Sequence, residues 1–311
     1  MTGKLNRKAI IYLLGFEWSN PNGDPAFDNE PRIIEDKLYT TDVFLKRRIR
    51  DYIDKKYGEK DEREFFDGNK NGRKDIIFVK EVTKDDGKSK MTPEQRAEQF
   101  EIKSKKDEDK AKELFWDLRV FGAMIPLKSS NESITFIGPV QFTFGTSLNK
   151  VISEPVQITN VMAHSEDKSK GGSIGQKHIV PVAIVEYFGF LNDYAAEDTT
   201  MNNNDYEKLL EALKNLRLAP SANTATKNPV PLLIVEIDLK DDHYVYLKGN
   251  LRLSKEPKTS LLEAKVNLQP LIEKLNRIED LIHDYKIYIK KEFKELFEGL
   301  DNINSQKINY F

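Results

Sequence analysis

The sequence predicts an α+β fold, with helices packed on a largely antiparallel sheet. Three observations lead there. An apolar, aromatic-rich run stands near the start, a stretch with helical spacing follows a turn region, and later apolar runs are split by a second helical stretch.

Lys8 to Trp18 (KAIIYLLGFEW) reads as a buried strand, and Ser19 to Pro31, dense in Asn, Pro, Gly and Asp, as a structured turn region. A helix then starts at Thr40 or Thr41, either able to cap it, with Asp42 in the first turn. Leu45, Ile49, Tyr52 and Ile53 share one face of it. From about Tyr57 to Asp109, Lys, Asp, Glu and Gly dominate around one short apolar run, Ile76 to Val79, so this stretch reads as a projecting, partly mobile insertion. Ala111 to Met124 is helical up to Gly122. Strand-like runs follow at Ile134 to Phe144, Ile179 to Leu191, Pro231 to Ile237 and Tyr244 to Leu253, with a helix over Asp205 to Leu218 between two of them. Leu261 to His283 reads as a helix broken or restarted at Pro270. Tyr285 to Ile289 alternates as a last strand does, yet also fits a helix running on through Phe293, Leu296 and Leu300. No internal repeat or long heptad array is present.

With 311 residues, 39% hydrophobic and 32% charged, the chain suits one large domain with insertions or two modest ones. Its 49 basic and 51 acidic residues nearly cancel, so any polyanion must be met by local basic patches. The lack of cysteine excludes disulfides, thiolate metal sites and Cys nucleophiles. Met1 to Lys8 holds no apolar signal core, and the apolar run Ile179 to Leu191 contains Glu186 and falls short of the roughly 20 residues of a membrane span. A soluble, cytoplasmic protein with no membrane partner is expected.

Three segments carry candidate chemistry. In the helix Asp42 to Lys56, at about 100° per residue, Lys46 and Arg50 share one flank of the apolar face, Arg47 lies further round and Arg48 sits on the other flank. Lys46, Arg47 and Arg50 thus suit a cationic ridge for phosphate oxygens, or simply a solvated face balanced by Asp51 and Asp54. Ala163 to His178 is glycine-rich and carries Lys168, Lys170, Gln176 and Lys177; it suits a loop against a phosphate backbone, or an ordinary connection. It lacks the spacing of a P-loop. Asn20 to Asp28 offers Asn22, Asp24 and Asp28 as oxygen ligands, but not at EF-hand spacing, and a turn held by Asx hydrogen bonds explains it better. His164 and His178 flank one loop; HExxH and GxSxG motifs are absent, so no catalytic residue, metal or cofactor is assigned.

These segments together resemble the Cas-seven family, in particular its type I-B and I-C branches (Csh-two and Csd-two). NPNGDP at Asn20 to Pro25 precedes PRI at Pro31 to Ile33 and TDVFLKRRIRDY at Thr41 to Tyr52; DLRVFGA follows at Asp117 to Ala123, and GGSIGQKHIVPVAIVEYFGFLN at Gly171 to Asn192. The resemblance spans roughly residues 8 to 240. It implies a single hand-like domain over 1–311: a modified RRM-like (ferredoxin-like) palm, a finger insertion at 57–109 and a thumb loop at 163–178. It also implies a non-enzymatic backbone subunit of a type I CRISPR surveillance complex (Cascade) serving antiviral defence. Copies would stack along the spacer of the guide (crRNA), leaving bases free for target DNA, beside the Cas-five, large and small subunits. On the matching positions, Lys46, Arg47 and Arg50 become phosphate contacts, Asn22 and Asp24 shape the adjacent loop, and Gly171, Gly172, Gln176, Lys177 and His178 lie at or near the thumb. The chain departs from the I-B pattern at Ser221 to Lys227, where only Lys227 is basic, and at Val182, commonly Tyr. Related type III backbone subunits cut target RNA with a loop aspartate. The alternative reading is therefore an RNA-guided endoribonuclease using Asp24, Asp28 or Asp167.

Overall fold

The computed structural model describes residues 5–58, 73–84, 86–128, 132–159, 174–224, 227–240 and 242–311. In chain order its elements are β1 (Lys8–Ser19), β2 (Ile33–Ile34), β3 (Lys37–Thr40), α1 (Asp42–Tyr57), α2 (Pro93–Gln99), α3 (Glu108–Leu114), α4 (Trp116–Phe121), β4 (Gly122–Pro126) and β5 (Ser133–Ile137). Then come β6 (Val140–Phe142), β7 (Gly145–Ser147), β8 (Glu154–Thr159), β9 (Ile174–Leu191), α5 (Asp193–Thr199), α6 (Asn203–Lys214) and β10 (Val230–Leu239). The chain ends with β11 (Arg252–Lys255), β12 (Lys265–Asn267), α7 (Gln269–Arg277), β13 (Ile282–Ile289), β14 (Phe297–Glu298) and β15 (Ile308–Tyr310). Brief 3-10 turns join several of these.

One sheet organises the molecule, in the order β15-β13-β10-β1-β9-β7-β3-β2, with β6 and β8 also pairing β9. β1 lies between β9 and β10 and is antiparallel to both. Its alternate residues enter two different cores. Ile10, Tyr12, Leu14 and Phe16 pack under α1 and α6, while Ala9, Ile11 and Leu13 pack under α7 and the C-terminal elements. Covering both faces explains why β1 reads as one continuous apolar run rather than an alternating one.

Helix α1 forms as its sequence predicts. The Thr41 hydroxyl accepts the Phe44 amide at 3.2 Å, and Leu45, Ile49, Tyr52 and Ile53 are buried. In α6, Asn202 and Asp205 close a capping box and Tyr206, Leu209, Leu210 and Leu213 face the core. The strand over Tyr285 to Ile289 is present within β13; beyond it the chain makes 3-10 turns and short strands, not a helix. Two sequence readings need correction. Tyr244 to Leu247 alternates buried and exposed residues without joining a ladder, so β11 begins only at Arg252. Leu261 to His283 is not one helix: Lys265–Asn267 is a strand, and α7 places Pro270 in its first turn, where no amide hydrogen is needed.

The described part of the charged stretch before Ala111 contributes Ile76, Phe78, Ala97, Phe100 and Ile102 to a third, smaller core with Phe115, Leu118 and Ile125. Two buried side chains of α4 fasten it. The Asp117 carboxylate accepts the amides of Phe78 and Val79 at 2.8 and 3.0 Å and the Arg50 Nε–H at 2.9 Å. Arg119, fully buried, donates to Asp205 at 2.9 Å and to the carbonyls of Lys74 and Lys112, both at 2.9 Å. Gly138 crosses the end of α4 so closely that a Cβ there would meet the Phe121 carbonyl carbon at 1.9 Å.

On the other face, Glu186 of β9 is 2% exposed and accepts the Gly249 amide on both carboxylate oxygens, 3.1 and 3.0 Å away. Burial raises its carboxyl to about 7, against the opposing pull of that amide, Lys248 and Arg252. The folded state therefore holds a proton that the unfolded chain, titrating near the ordinary value of 4.5, has released. That contribution is complete below the unfolded pKa and is lost as pH rises through about 7. Glu186→Gln should flatten the thermal midpoint between those limits and raise it at alkaline pH; a profile parallel to wild type would contradict the assignment.

Candidate nucleic-acid interface

The segment after β1 is tied back on itself. The Asp24 carboxylate accepts the Ala26 amide at 3.1 Å, an Asx turn, and pairs with Arg32 at 2.9 Å. Arg32 also donates to the Asn22 carbonyl at 3.1 Å, which fixes the loop beside the first turns of α1.

Between this loop, α1, the β8–β9 ribbon and Ser221, Thr224 and Lys227 lies a groove of about 920 Å³. Asn22, Arg47, Gln176, Lys177, His178 and Lys227 all line it, drawn from four separated stretches of sequence. Among the described residues that line it, Arg32, Arg47, Arg48, Lys177 and Lys227 are cations and Asp28 is the one carboxylate. A nearly neutral chain thus concentrates positive charge in one concavity, where fields are focused.

Arg48 is the most constrained of these cations. It is 4% exposed, its guanidinium carbon lies 3.4 Å from the centroid of the Phe44 ring, and Nη1 donates to the Phe44 carbonyl at 2.8 Å. Its Nε lacks a hydrogen-bond partner, and among the described residues it forms no ion pair within 4.0 Å. Burial lowers it to about 10, so it stays charged at neutral pH. Burial together with Arg48 and Arg47 also lowers Lys227. The Ser221 hydroxyl in the same wall is buried without a partner. Cations that repel one another around orphaned donors favour a bound anion.

The proposed ridge of α1 is divided by the fold. Arg47 is exposed over 65% of its side chain and reaches Asp51 only at 3.9 Å. Lys46 is buried, bonded to Gln141 at 2.7 Å and Asp42 at 3.2 Å, and Arg50 is engaged by Asp117. Lys46 and Arg50 do not line the groove. Arg47 also borders a neighbouring cavity of about 460 Å³ with Arg50, Val43, Phe78 and Met124. Lys168, Lys170, Gly171, Gly172, His164 and Asp167 lie outside the described residues. Sequence reasoning missed Arg48 and Arg32. The helical wheel set Arg48 apart from the other cations, and only the tertiary fold brings Lys227 opposite it.

A wide sheet with helices on its faces, opening into a polar, cation-lined groove beside α1, defines an α+β protein electrostatically suited to a polyanion. The chain belongs to the CRISPR-associated protein Cas7 family, whose model matches residues 6–294. It is 26% identical over 309 residues to "CRISPR-associated protein Cas7" of Haloferax volcanii, covering 89% of this chain and 85% of that one. Its fold is similar to a chain of a solved structure titled "CRISPR RNA-guided surveillance complex, pre-nicking", with a TM-score of 0.59, 14% identity and coverage of 98% and 96%. A second, titled "CRISPR RNA-guided surveillance complex", has a TM-score of 0.55 at 12% identity and coverage of 98% and 94%. Among the described residues, no helix is long and apolar enough to cross a membrane.

Proposed function

We propose that this chain is a guide-RNA-binding backbone subunit of a type I CRISPR surveillance complex, of the I-B or I-C branch, and that the groove beside α1 holds the guide's phosphates. The observation that carries the reading is Arg48, buried and without an acidic partner among the described residues, lining an open concavity with its helix neighbour Arg47 and with Lys227, whose pKa both arginines lower. Phosphate there would compensate the charge, and contacts limited to phosphate and sugar leave base edges free for target DNA.

The domain reading follows: a palm formed by β1, β9 and β10 with α1 and α6 between them in sequence, in the RRM-like manner, and fingers from the 57–109 insertion. Of the 163–178 thumb, residues 163–173 lie outside the described residues; in this reading the loop meets a neighbouring copy. Asn22, Gln176, Lys177 and His178 border the RNA path. Lys46 and Arg50 support it from behind, by fixing α1 to Gln141 and Asp117. Partners are the crRNA, further copies of this chain, the Cas-five, large and small subunits, and target DNA met through the guide.

The test is RNA binding by Arg47→Glu/Lys227→Glu. This variant should lose RNA affinity at least tenfold, and the logarithmic salt dependence should become shallower by about 1.4, for two single-strand phosphate contacts. Unchanged affinity and slope would overturn the assignment. In the competing nuclease reading, Asp24 is already engaged by Arg32 and the Ala26 amide, which leaves Asp28 as the described candidate in the groove. Cleavage of complementary RNA in magnesium, abolished by Asp28→Asn, would decide for that reading.

A further inference from the structure

The sheet face opposite α1 carries a row of exposed aromatic rings that the guide groove does not use. Tyr244 and Tyr246 are 58% and 55% exposed, while Val245 and Leu247 between and after them are buried. Each tyrosine stands on a ring of β9. Tyr244 lies 4.8 Å from Phe190 and Tyr246 lies 5.0 Å from Phe188, centroid to centroid. Since Phe188 and Phe190 are two residues apart on one strand, the tyrosines repeat at about 7 Å.

The row continues at both ends. Beyond Tyr244, the hydroxyl of Tyr194, itself 54% exposed, donates to Asp242 at 2.6 Å. Beyond Tyr246, Lys248 Nζ donates to the carbonyl of Phe144 at 2.5 Å, and the half-exposed Phe144 ring stacks on Tyr39 at 6.2 Å with planes only 4° apart. Leu38 enters the core under α1, so the strand alternation of β3 sends Tyr39 to the opposite face.

The charged groups of this face favour a polyanion. Lys248 lies within the row, Lys37 is two residues before Tyr39 on the same face of β3, and Arg252 is exposed beside Glu186. Among the described residues, two carboxylates of this face are already engaged: Asp242 takes the Tyr194 hydroxyl, and Glu186 is buried against Gly249. Two exposed rings about 7 Å apart, each resting on a ring of β9, with Lys248 and the Phe144 ring beyond them, suit the stacking of successive bases without reading their edges. A protein-binding patch would tend to exclude lysine from its centre.

We propose that Tyr244, Tyr246 and Phe144 form a stacking track for an unpaired DNA strand, the one displaced when the guide opens a duplex target. The source of the strand rests on the guide-binding reading; the track itself does not. Protein assembled on guide RNA is titrated with labelled oligothymidylate of about 16 nucleotides, the upper site size of one aromatic-lined fold. The strand is not complementary to the guide. Tyr244→Ala/Tyr246→Ala should weaken binding at least tenfold, while Tyr244→Phe/Tyr246→Phe, which keeps the rings, should stay within about twofold of wild type. Guide-RNA affinity and thermal midpoint, measured on the same variants, should not move. A second arm places 2-aminopurine in the displaced strand of a duplex target, whose fluorescence should be quenched in wild type and restored in the alanine variant.

Unchanged oligothymidylate affinity in the alanine variant overturns the track. So does loss of self-association or of subunit assembly in its place, which would make the face a protein contact. Normal oligothymidylate binding with no 2-aminopurine response overturns the displaced strand as the source. Failure of the guide-binding reading shows separately, as RNA affinity indifferent to Arg47→Glu/Lys227→Glu.

Discussion

Arg119→Ala is expected to cost about 3–5 kcal/mol of folding stability, read as a lower urea midpoint at unchanged slope. The guanidinium is fully buried and joins elements far apart in sequence, since it holds Asp205 of α6 and the carbonyls of Lys74 and Lys112 together. Its removal leaves the 1%-exposed Asp205 side chain short of its deepest cation, with Arg73 the one cation still paired to it among the described residues. Arg73→Ala is the matched control. That side chain is 31% exposed, so solvent screens the loss and the effect should be clearly smaller. Equal effects would mean that Arg119 does not act as the link between α4, α6 and the insertion.

Arg48→Met should move stability and binding in opposite directions. The free protein holds a buried cation with no acidic partner among the described residues and an unsatisfied Nε. Burial already disfavours this charge, so an apolar side chain of similar length should leave stability unchanged or raise it. The same change deletes the deepest cation of the groove, and RNA affinity should fall at least tenfold, as for loss of a desolvated charge contact. Thermal midpoint and fluorescence anisotropy on one preparation check both halves. A destabilised variant with unchanged RNA affinity would make Arg48 purely structural. The case for a binding role would then pass to Arg47 and Lys227 alone.

Much of the fold was legible because local signals and tertiary need agree. Thr41 caps α1, Leu45 and Ile49 face inward, and the run from Lys8 is a strand covered on both faces. Reading failed where a pattern has two physical outcomes. Tyr244 to Leu247 has strand alternation, but it lies over β9 through its rings without a backbone ladder. Pro270 looked like a break within a long helix, whereas it opens a short one after a strand. The site was legible in composition more than in geometry. Periodicity placed Lys46 and Arg50 on one flank of α1, yet whether a cation faces solvent depends on the acids that other elements bring. Asp117 arrives from 67 residues away to take Arg50. Arg48 and Lys227, 179 positions apart by their numbering, meet only because the segment before β10 folds over α1.

The two fastened residues of α4 also limit how this chain can be shortened. Asp117 accepts the amides of Phe78 and Val79, and Arg119 donates to the carbonyls of Lys74, Lys112 and Glu113 and to Asp75, so the stretch preceding α4 supplies most of their hydrogen-bond partners. Excising it would leave Asp117 with Arg50 and Arg119 with Asp205, each short of most of its hydrogen bonds in a dry interior. Any trimmed descendant would therefore have to exchange both for apolar side chains in the same step, which makes gradual erosion of this insertion a route that few single substitutions can begin.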